Sequence, residues 1–267
     1  MSAVLLTGAT SGLGRWLAPR LGRAGLTVLV HGRDRGKVGR GVAEVEAAGG
    51  KAQGFVADLA SLAGVDRLAA EVRDRPLTIL VNNAGVGFGE RDGKREVSAD
   101  GYELRWAVNL LAPVRLTEAL LPTLKANAPA RVVNVGSLGQ QPIDFDDPQL
   151  ERHYDGVEAY RRSKLALAAW TFDLAEDLRG SGVNANCLHP ATFMDTAMVR
   201  QYGQTPFATV EEGGAATLRL ILDETRSGLF FDGQRVAEPH PGAKDPAVRS
   251  RLRALLKGGS RPGGAAR

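Results

Sequence analysis

The chain reads as one doubly wound α/β domain with a central parallel sheet of about seven strands. Two observations predict this. Short apolar runs of strand length alternate with longer segments of helical period as far as residue 231. The first run opens at once into a glycine-rich turn, Thr7-Gly8-Ala9-Thr10-Ser11-Gly12-Leu13-Gly14. Alternation of this kind places a parallel sheet between two helical layers.

The elements follow in order. Residues 4–6 form the first strand, and a helix-like stretch runs from the glycine turn to Ala24, with Pro19 expected to kink or shorten it. Strands are predicted at 26–30, 54–57 and 77–81, with helices between them at 36–48 and 61–74. Ser98 is expected to cap a long helix over 100–126, in which Pro113 and Pro122 mark irregularities. A fifth strand covers 131–135 and a sixth 183–188. Between them a helix begins at Asp155, with Glu158 three residues on to complete a capping box, and runs to about Arg179. A helix at 211–223 and a last short strand at 229–231 complete the fold. No repeat or interdomain linker appears, so residues 1–257 form one domain, and the Gly-, Ala- and Arg-rich residues 258–267 read as a disordered tail. The connections at 138–154 and 192–209 are long for a compact domain, which marks them as functional loops.

Composition narrows the function. Apolar residues make up 43% of the 267, enough for a sizeable core. The lone Cys187 rules out an internal disulfide and fits a reducing compartment, so the expected location is cytoplasmic. No run is long and apolar enough to span a membrane, and no signal peptide is evident. The net charge is +4, but the basic residues are dispersed and aromatics few, which favours an anionic ligand over nucleic acid. The four histidines are scattered without ligand spacing, so no metal site is supported. No GxSxG elbow is present for serine-nucleophile chemistry.

The motifs converge on one edge of the sheet. Gly8, Gly12 and Gly14 between strand and helix permit close backbone approach to a phosphate at a helix N-terminus. Asn82-Asn83-Ala84-Gly85 follows the fourth strand, where small residues and amides suit a ligand crevice. Asp58 ends the third strand, as an adenine contact or a turn cap. Asn109 lies amid apolar helix residues and needs a partner, structural or catalytic. Ser137 ends the fifth strand, and His189-Pro190-Ala191-Thr192 the sixth. On the helix from Asp155, Tyr160 and Lys164 share a stripe with Leu167, Thr171, Leu174 and Leu178, while Arg161 and Arg162 can turn outward. A cation one turn from a phenol favours the phenolate and fits the pair for general acid and base work near neutrality. Tyr-x-x-x-Lys alone is a weak signal; the other motifs reverse the odds.

As a set, in order, TGATSGLG at 7–14, NNAG at 82–85, Asn109, Ser137 and YRRSK at 160–164 resemble the single-domain short-chain dehydrogenase/reductases. The likeness covers residues 1 to about 235. The segment 100–109, the Ser137–Tyr160 spacing and Phe231-Asp232-Gly233 resemble the retinol-dehydrogenase-like branch, whose anchored members carry an N-terminal apolar segment that this chain lacks. The resemblance implies a Rossmann fold and hydride transfer between a nicotinamide and a carbonyl/alcohol pair. Tyr160 would exchange the proton, Lys164 lower its pKa and hold the ribose, Ser137 orient the substrate oxygen, and Asn109 hold a relay water with Lys164. The implied cofactor-binding set is Gly8, Thr10, Ser11, Gly12, Leu13, Gly14, Arg33, Asp58, Leu59, Asn82, Ala84, Gly85, Tyr160, Lys164, Pro190, Thr192 and Thr196. Asn82 would face the adenosine ribose, and Thr192 or Thr196 the carboxamide. Ala191 stands where the family has glycine, which narrows the nicotinamide site. A homodimer or homotetramer is implied, through the helices at 100–126 and 157–179, with Trp106, Leu110, Val114 and Trp170 as contact area.

The end of the second strand decides which nicotinamide is used. Gly32 stands where NAD-dependent relatives carry an acid, and Arg33 follows, able to hold a 2′-phosphate through two parallel hydrogen bonds. Asp34 is read as a helix cap. The expectation is therefore NADP(H), with NAD(H) possible. Leu138, Phe145, Phe193, Met194, Met198, Tyr202 and Phe207 in the two long connections, alongside Asp144, Asp146 and Asp147, point to a fairly apolar carbonyl or alcohol substrate. The alternatives are an epimerase or dehydratase on the same cofactor, and a non-catalytic nucleotide sensor.

Overall fold

The computed structural model describes residues 2–90 and 93–258. Its strands are β1 (Ala3–Leu6), β2 (Thr27–Gly32), β3 (Lys51–Val56), β4 (Leu77–Asn82), β5 (Ala130–Val135), β6 (Val183–His189), β7 (Phe230–Asp232) and β8 (Arg235–Ala237). The helices are α1 (Gly12–Arg23), α2 (Arg35–Ala47), α3 (Leu62–Val72), α4 (Leu104–Trp106), α5 (Ala112–Ala126), α6 (Gly156–Asp177), α7 (Ala197–Gln201), α8 (Val210–Leu222) and α9 (Pro246–Lys257). The strands form one sheet in the order β3-β2-β1-β4-β5-β6-β7-β8, parallel through β7. The seven parallel strands match expectation. The antiparallel β8 does not: the chain turns back at Gly233, whose φ of +57° suits a tight hairpin, and pairs Arg235 with Asp232. Short β8 carries too little apolar pattern to be read from sequence; α9 had signals that were passed over, Asp245 as N-cap, Pro246 in the first turn and Val248, Leu252 and Leu255 along one face. Of the expected tail at 258–267, all but Gly258 lies outside the described residues.

Each face of the sheet buries an apolar layer. Leu17, Leu21, Val30, Val81, Leu188 and Leu220 join α1, α2 and α8 to one face. Leu68, Leu80, Leu120, Leu167 and Phe230 join α3, α5 and α6 to the other. The order reversal between β1 and β4 opens a crevice at the C-terminal ends of the strands, where sheets of this kind bind ligands.

Several local expectations change. Ser98 does not cap the long helix; its hydroxyl accepts from the Tyr102 N–H in a turn (3.2 Å), and the helix starts at α4, capped by Glu103 through the Trp106 N–H at 2.8 Å. The irregularity near Pro113 is a π-turn at Ala107–Leu111, which runs without a break into α5, so that Pro113, which has no N–H to give the ladder, follows directly on the widened turn. Pro19 does not shorten α1. Asp155 caps α6 through the Glu158 N–H at 2.7 Å, but the capping box is half made, because the Glu158 carboxylate turns to Arg162 instead.

Arg162 is therefore not outward. It is buried, and a second nitrogen donates to the Asp147 carbonyl at 2.7 Å. From Arg162 to Leu174 every residue of α6 is buried, so the helix is enclosed on all sides within one chain. The connection 138–154 covers part of its outer face through Ile143 and Leu150. The C-terminal helix α9 covers more: Arg249 and Arg253 grip Asp173, and reach Glu176 at 2.8 Å and Asp177 at 3.1 Å respectively. Trp106, Leu110, Val114 and Trp170, expected as contact area for a second copy, are buried in the same chain. Among the described residues no helix is long and apolar enough to cross a membrane.

Removing the central carboxylate of this clamp leaves two guanidinium groups without it. Asp173→Ala is expected to lower stability by about 1.5–3 kcal/mol in urea unfolding. Hydrogen exchange at 246–257 should accelerate. Unchanged protection there would show that apolar packing alone holds α9.

Candidate active site

The site begins at the turn between β1 and α1. Gly8 has φ +64°, and a Cβ on Gly14 would collide with the Gly8 carbonyl oxygen, so the turn folds tightly enough to present its backbone to a ligand. Thr7 anchors it from below. Its hydroxyl donates to the Val81 carbonyl and accepts the N–H groups of Asn83 (2.9 Å) and Ala84 (3.0 Å). His31, at the end of β2, anchors it from the side. Nδ1 accepts the Gly8 N–H at 3.2 Å, and Nε2 donates to the Ala57 carbonyl at 3.1 Å. That pattern needs the neutral imidazole, and burial pushes the His31 pKa down to about 4.

At the other end, α6 brings Tyr160 and Lys164 to the C-terminal end of β5. The Lys164 ammonium is buried and donates to the Val135 carbonyl at 2.8 Å, 5.7 Å from the Tyr160 ring centroid. Burial pushes the ammonium down to about 8. The Ser137 hydroxyl is hydrogen-bonded to the Tyr160 phenol, which lowers its pKa, but burial outweighs this and the phenol lies above its usual value. The Ser137 hydroxyl also accepts the Gly139 N–H at 3.0 Å. Phe88 packs its edge against both Tyr160 and Tyr202, with centroids 4.7 and 4.6 Å away.

One cleft of about 910 Å³ joins these two ends. It is lined by Gly8, Thr10, Ser11, Gly12, Leu13, Gly14, Arg33, Asp58, Leu59, Ala84, Gly85, Ser137, Tyr160, Lys164, Pro190, Thr192 and Thr196, with Ala191 beside them. The structure separates the two threonines. Thr192 lies at the Tyr160 end of β6, its hydroxyl hydrogen-bonded to His189 Nε2 at 3.0 Å; Thr196 packs beside Gly12 at the glycine turn. Asp34 caps α2 through the Lys37 N–H at 2.7 Å, as expected. Asp58 accepts the Ala60 N–H at 3.0 Å.

Two of the expected residues stand elsewhere. Asn82 does not reach the cleft. As the last residue of β4 its side chain points to the α5–α6 face, donating to Thr117 (3.1 Å) and Asn134 (2.8 Å). Its neighbour Asn83 points the opposite way, lines the cleft, and donates to the Thr7 and Gly8 carbonyls. Asn109 is buried beneath the cleft. Its amide group exchanges hydrogen bonds with the Val86 backbone (2.9 and 3.1 Å) and donates to the Ser163 hydroxyl at 3.1 Å. Both amide hydrogens are thereby used, and one lone pair on Oδ1 remains.

Of the loop residues, Leu138, Phe193, Met194 and Met198 line the cleft. Phe145 instead lies under Arg251 and packs on the core, Phe207 sits exposed against Phe193, and the loop acids serve Arg152 and Arg251. Sequence reasoning passed over His31, Lys37 and Phe88. Lys37 had a signal, three residues past Asp34 on the first turn of α2. The partners of His31 and Phe88 are distant in sequence and left none.

A dinucleotide fits this cleft: a cradle that a side chain would fill at Gly14, Arg33 and Lys37 at the β2 end with no acidic side-chain partner among the described residues, and hydroxyl and ammonium groups at the β5 end. The short chain dehydrogenase family pattern matches residues 2–206, and the chain belongs to that family, in its retinol-dehydrogenase-like branch. It is 32% identical to human retinol dehydrogenase 13 over 273 residues, covering 93% of this chain and 81% of that protein. Among solved structures, an uncharacterized protein from Mycobacterium paratuberculosis superposes with a TM-score of 0.80 at 29% identity, covering 96% of this chain and 92% of that one. The Pseudomonas aeruginosa RhlG/NADP active-site complex superposes with a TM-score of 0.70 at 28% identity, covering 86% and 94%.

The His31 geometry sets a pH dependence. The unfolded chain takes up this proton near the ordinary value of 6.5 and the folded chain only near 4, so stability falls as pH drops through that window. The full loss is about 3 kcal/mol, at about 1.4 kcal/mol per pH unit. The His31 ring resonances should titrate near 4 by NMR; a midpoint near 6.5 would show that the imidazole is not held neutral.

Proposed function

We propose that the protein is an NADP(H)-dependent oxidoreductase that interconverts an apolar carbonyl compound and its alcohol, with Tyr160 as general acid and base. The observation that carries this reading is the convergence of Tyr160, Ser137 and Lys164 on one end of a cleft whose other end holds Arg33 and Lys37. The NADP complex of a structural relative and the retinol dehydrogenase names of sequence relatives support it. So does Asp34: its carboxylate is occupied with the Lys37 N–H, while Arg33 borders the cleft with no acidic partner among the described residues.

The nicotinamide, when bound, supplies the hydride in the reductive direction. The protein's part is positioning and proton transfer. Ser137 and Tyr160 hold the substrate oxygen by their hydroxyl groups. As charge builds on that oxygen, the Tyr160 O–H gives it the proton, and the Lys164 ammonium stabilises the phenolate left behind. A phenol held protonated by burial is the correct resting form for an acid. Lys164 keeps its own charge at pH 7, because its pKa of about 8 still lies above that. Val135 fixes the ammonium, and Thr192, steadied by His189, borders the nicotinamide end. Asn109 holds Val86 and Ser163 in place, and its spare lone pair marks the position for a relay water toward Lys164.

Two variants test the reading. Tyr160→Phe should fold normally and bind NADPH, yet lose about 10²–10⁴-fold in turnover, the usual worth of a positioned acid; a rate near wild type on any substrate would exclude the assignment. Arg33→Ala should weaken NADPH binding by about 1.5–3 kcal/mol and NADH binding little, as expected for a charged hydrogen-bonded contact. Equal losses for the two cofactors, measured by fluorescence titration, would assign the phosphate contact elsewhere.

A further inference from the structure

The catalytic end of the cleft is walled by apolar side chains, among them Phe88, Leu138, Phe193, Met194 and Met198. Two charged side chains border it. Lys164 is buried and committed to Val135. The other is Arg161, exposed at the rim, with its stem beside Gly139 and the Tyr160 ring. Its neighbours are engaged elsewhere: Arg162 turns inward to Glu158 and the Asp147 carbonyl, and Arg200 closes on Asp195. Among the described residues Arg161 has no acidic partner. The acids that line the cleft, Asp34 and Asp58, lie at its far end.

We infer that Arg161 is a specificity-determining residue that reads a carboxylate on the substrate. The inference rests on the oxidoreductase reading and narrows it: the substrate class is an apolar carbonyl compound or alcohol with a carboxylate at the end remote from the reacting carbon. A guanidinium presents a planar fork that matches a carboxylate bidentately, and it carries its charge at every working pH. Arg161 directly follows Tyr160 on the helix. Both side chains line the cleft, and the Arg161 stem and the Tyr160 ring both lie beside Gly139. A substrate oxygen on Ser137 and Tyr160, a short hydrocarbon stretch against Phe88 and Leu138, and a carboxylate on Arg161 occupy these positions in sequence. A wholly neutral substrate would leave Arg161, which has no acidic partner among the described residues, without a contact.

The test has a binding arm and a turnover arm. Octanoate and 1-octanol are titrated calorimetrically into the full-length protein with NADPH present. Wild type should bind octanoate about threefold to fivefold more tightly, the worth of an exposed ion pair with good geometry. The preference should shrink as salt is raised. Arg161→Gln should abolish it, and Arg161→Glu should reverse it. Equal affinities in wild type, binding of neither ligand, or a preference that survives Arg161→Gln would overturn the proposal. In the turnover arm, an aldehyde bearing a terminal carboxylate is compared with its methyl ester. The acid-to-ester ratio of kcat/KM should fall from about four to about one in Arg161→Gln. An Arg161-dependent octanoate preference without turnover of any aldehyde would uphold the anion site and reject the oxidoreductase reading; turnover with no acid preference would do the opposite.

Discussion

The Lys164 ammonium sits in the interior of the protein with a carbonyl oxygen for company and no carboxylate. Burying a lone cation is costly, and the downward displacement of its pKa records that cost. Much of the architecture serves to hold it there. The Val135 carbonyl is available because β5 ends at that residue and has no further strand partner to satisfy. Its helix, α6, stays in place because it is enclosed on every side: by the sheet beneath, by the connection 138–154, and by α9. The phenol one turn away inherits its position from the same helix.

Below this floor runs a chain of buried polar side chains. Thr117 of α5 meets Asn82 of β4, Asn82 meets Asn134 of β5, and Asn134 meets Thr171 of α6 at 2.9 Å. Thr171 in turn donates to the Leu167 carbonyl. Four elements are thus tied together by groups that cannot slide without leaving a partner unsatisfied. The glycine turn is secured independently, by Thr7 and His31. The two ends of the cleft are therefore held by separate hydrogen-bond systems on one sheet.

Residues whose chemistry demands a particular type at a particular place were legible: the three glycines, Ser137, and the Tyr160–Lys164 pair. Strands and helices with strong period were equally so. Legibility failed where a choice turned on a single position or on a distant partner. Asn82 and Asn83 differ by one step of strand alternation, and that step decides which faces the cleft. Arg162 looked free to turn outward because the Asp147 carbonyl lies on a connection whose approach no local pattern shows; Glu158, four residues back on the same helix, was a local signal passed over. In α9 the arginines read as a solvated surface until Asp173, Glu176 and Asp177 are seen opposite them. His31, by type and spacing, was one of four scattered histidines; only the fold brings it between Gly8 and Ala57.

The π-turn at Ala107–Leu111 has a consequence for how this chain tolerates change. A π-turn is an α-helix with one residue too many. The surplus is absorbed within Ala107–Leu111, where Asn109 faces Val86 and Ser163, while Arg105, just before it, faces Gly87 and Glu103. Excising one residue here would relax the segment to a regular helix with the turns on either side nearly in phase, so the loss would fall on the bulge itself, where Asn109 meets Val86 and Ser163. The count of residues in this stretch is thus itself a structural element: one fewer, and the backbone loses the bulge from which Asn109 reaches both of its partners.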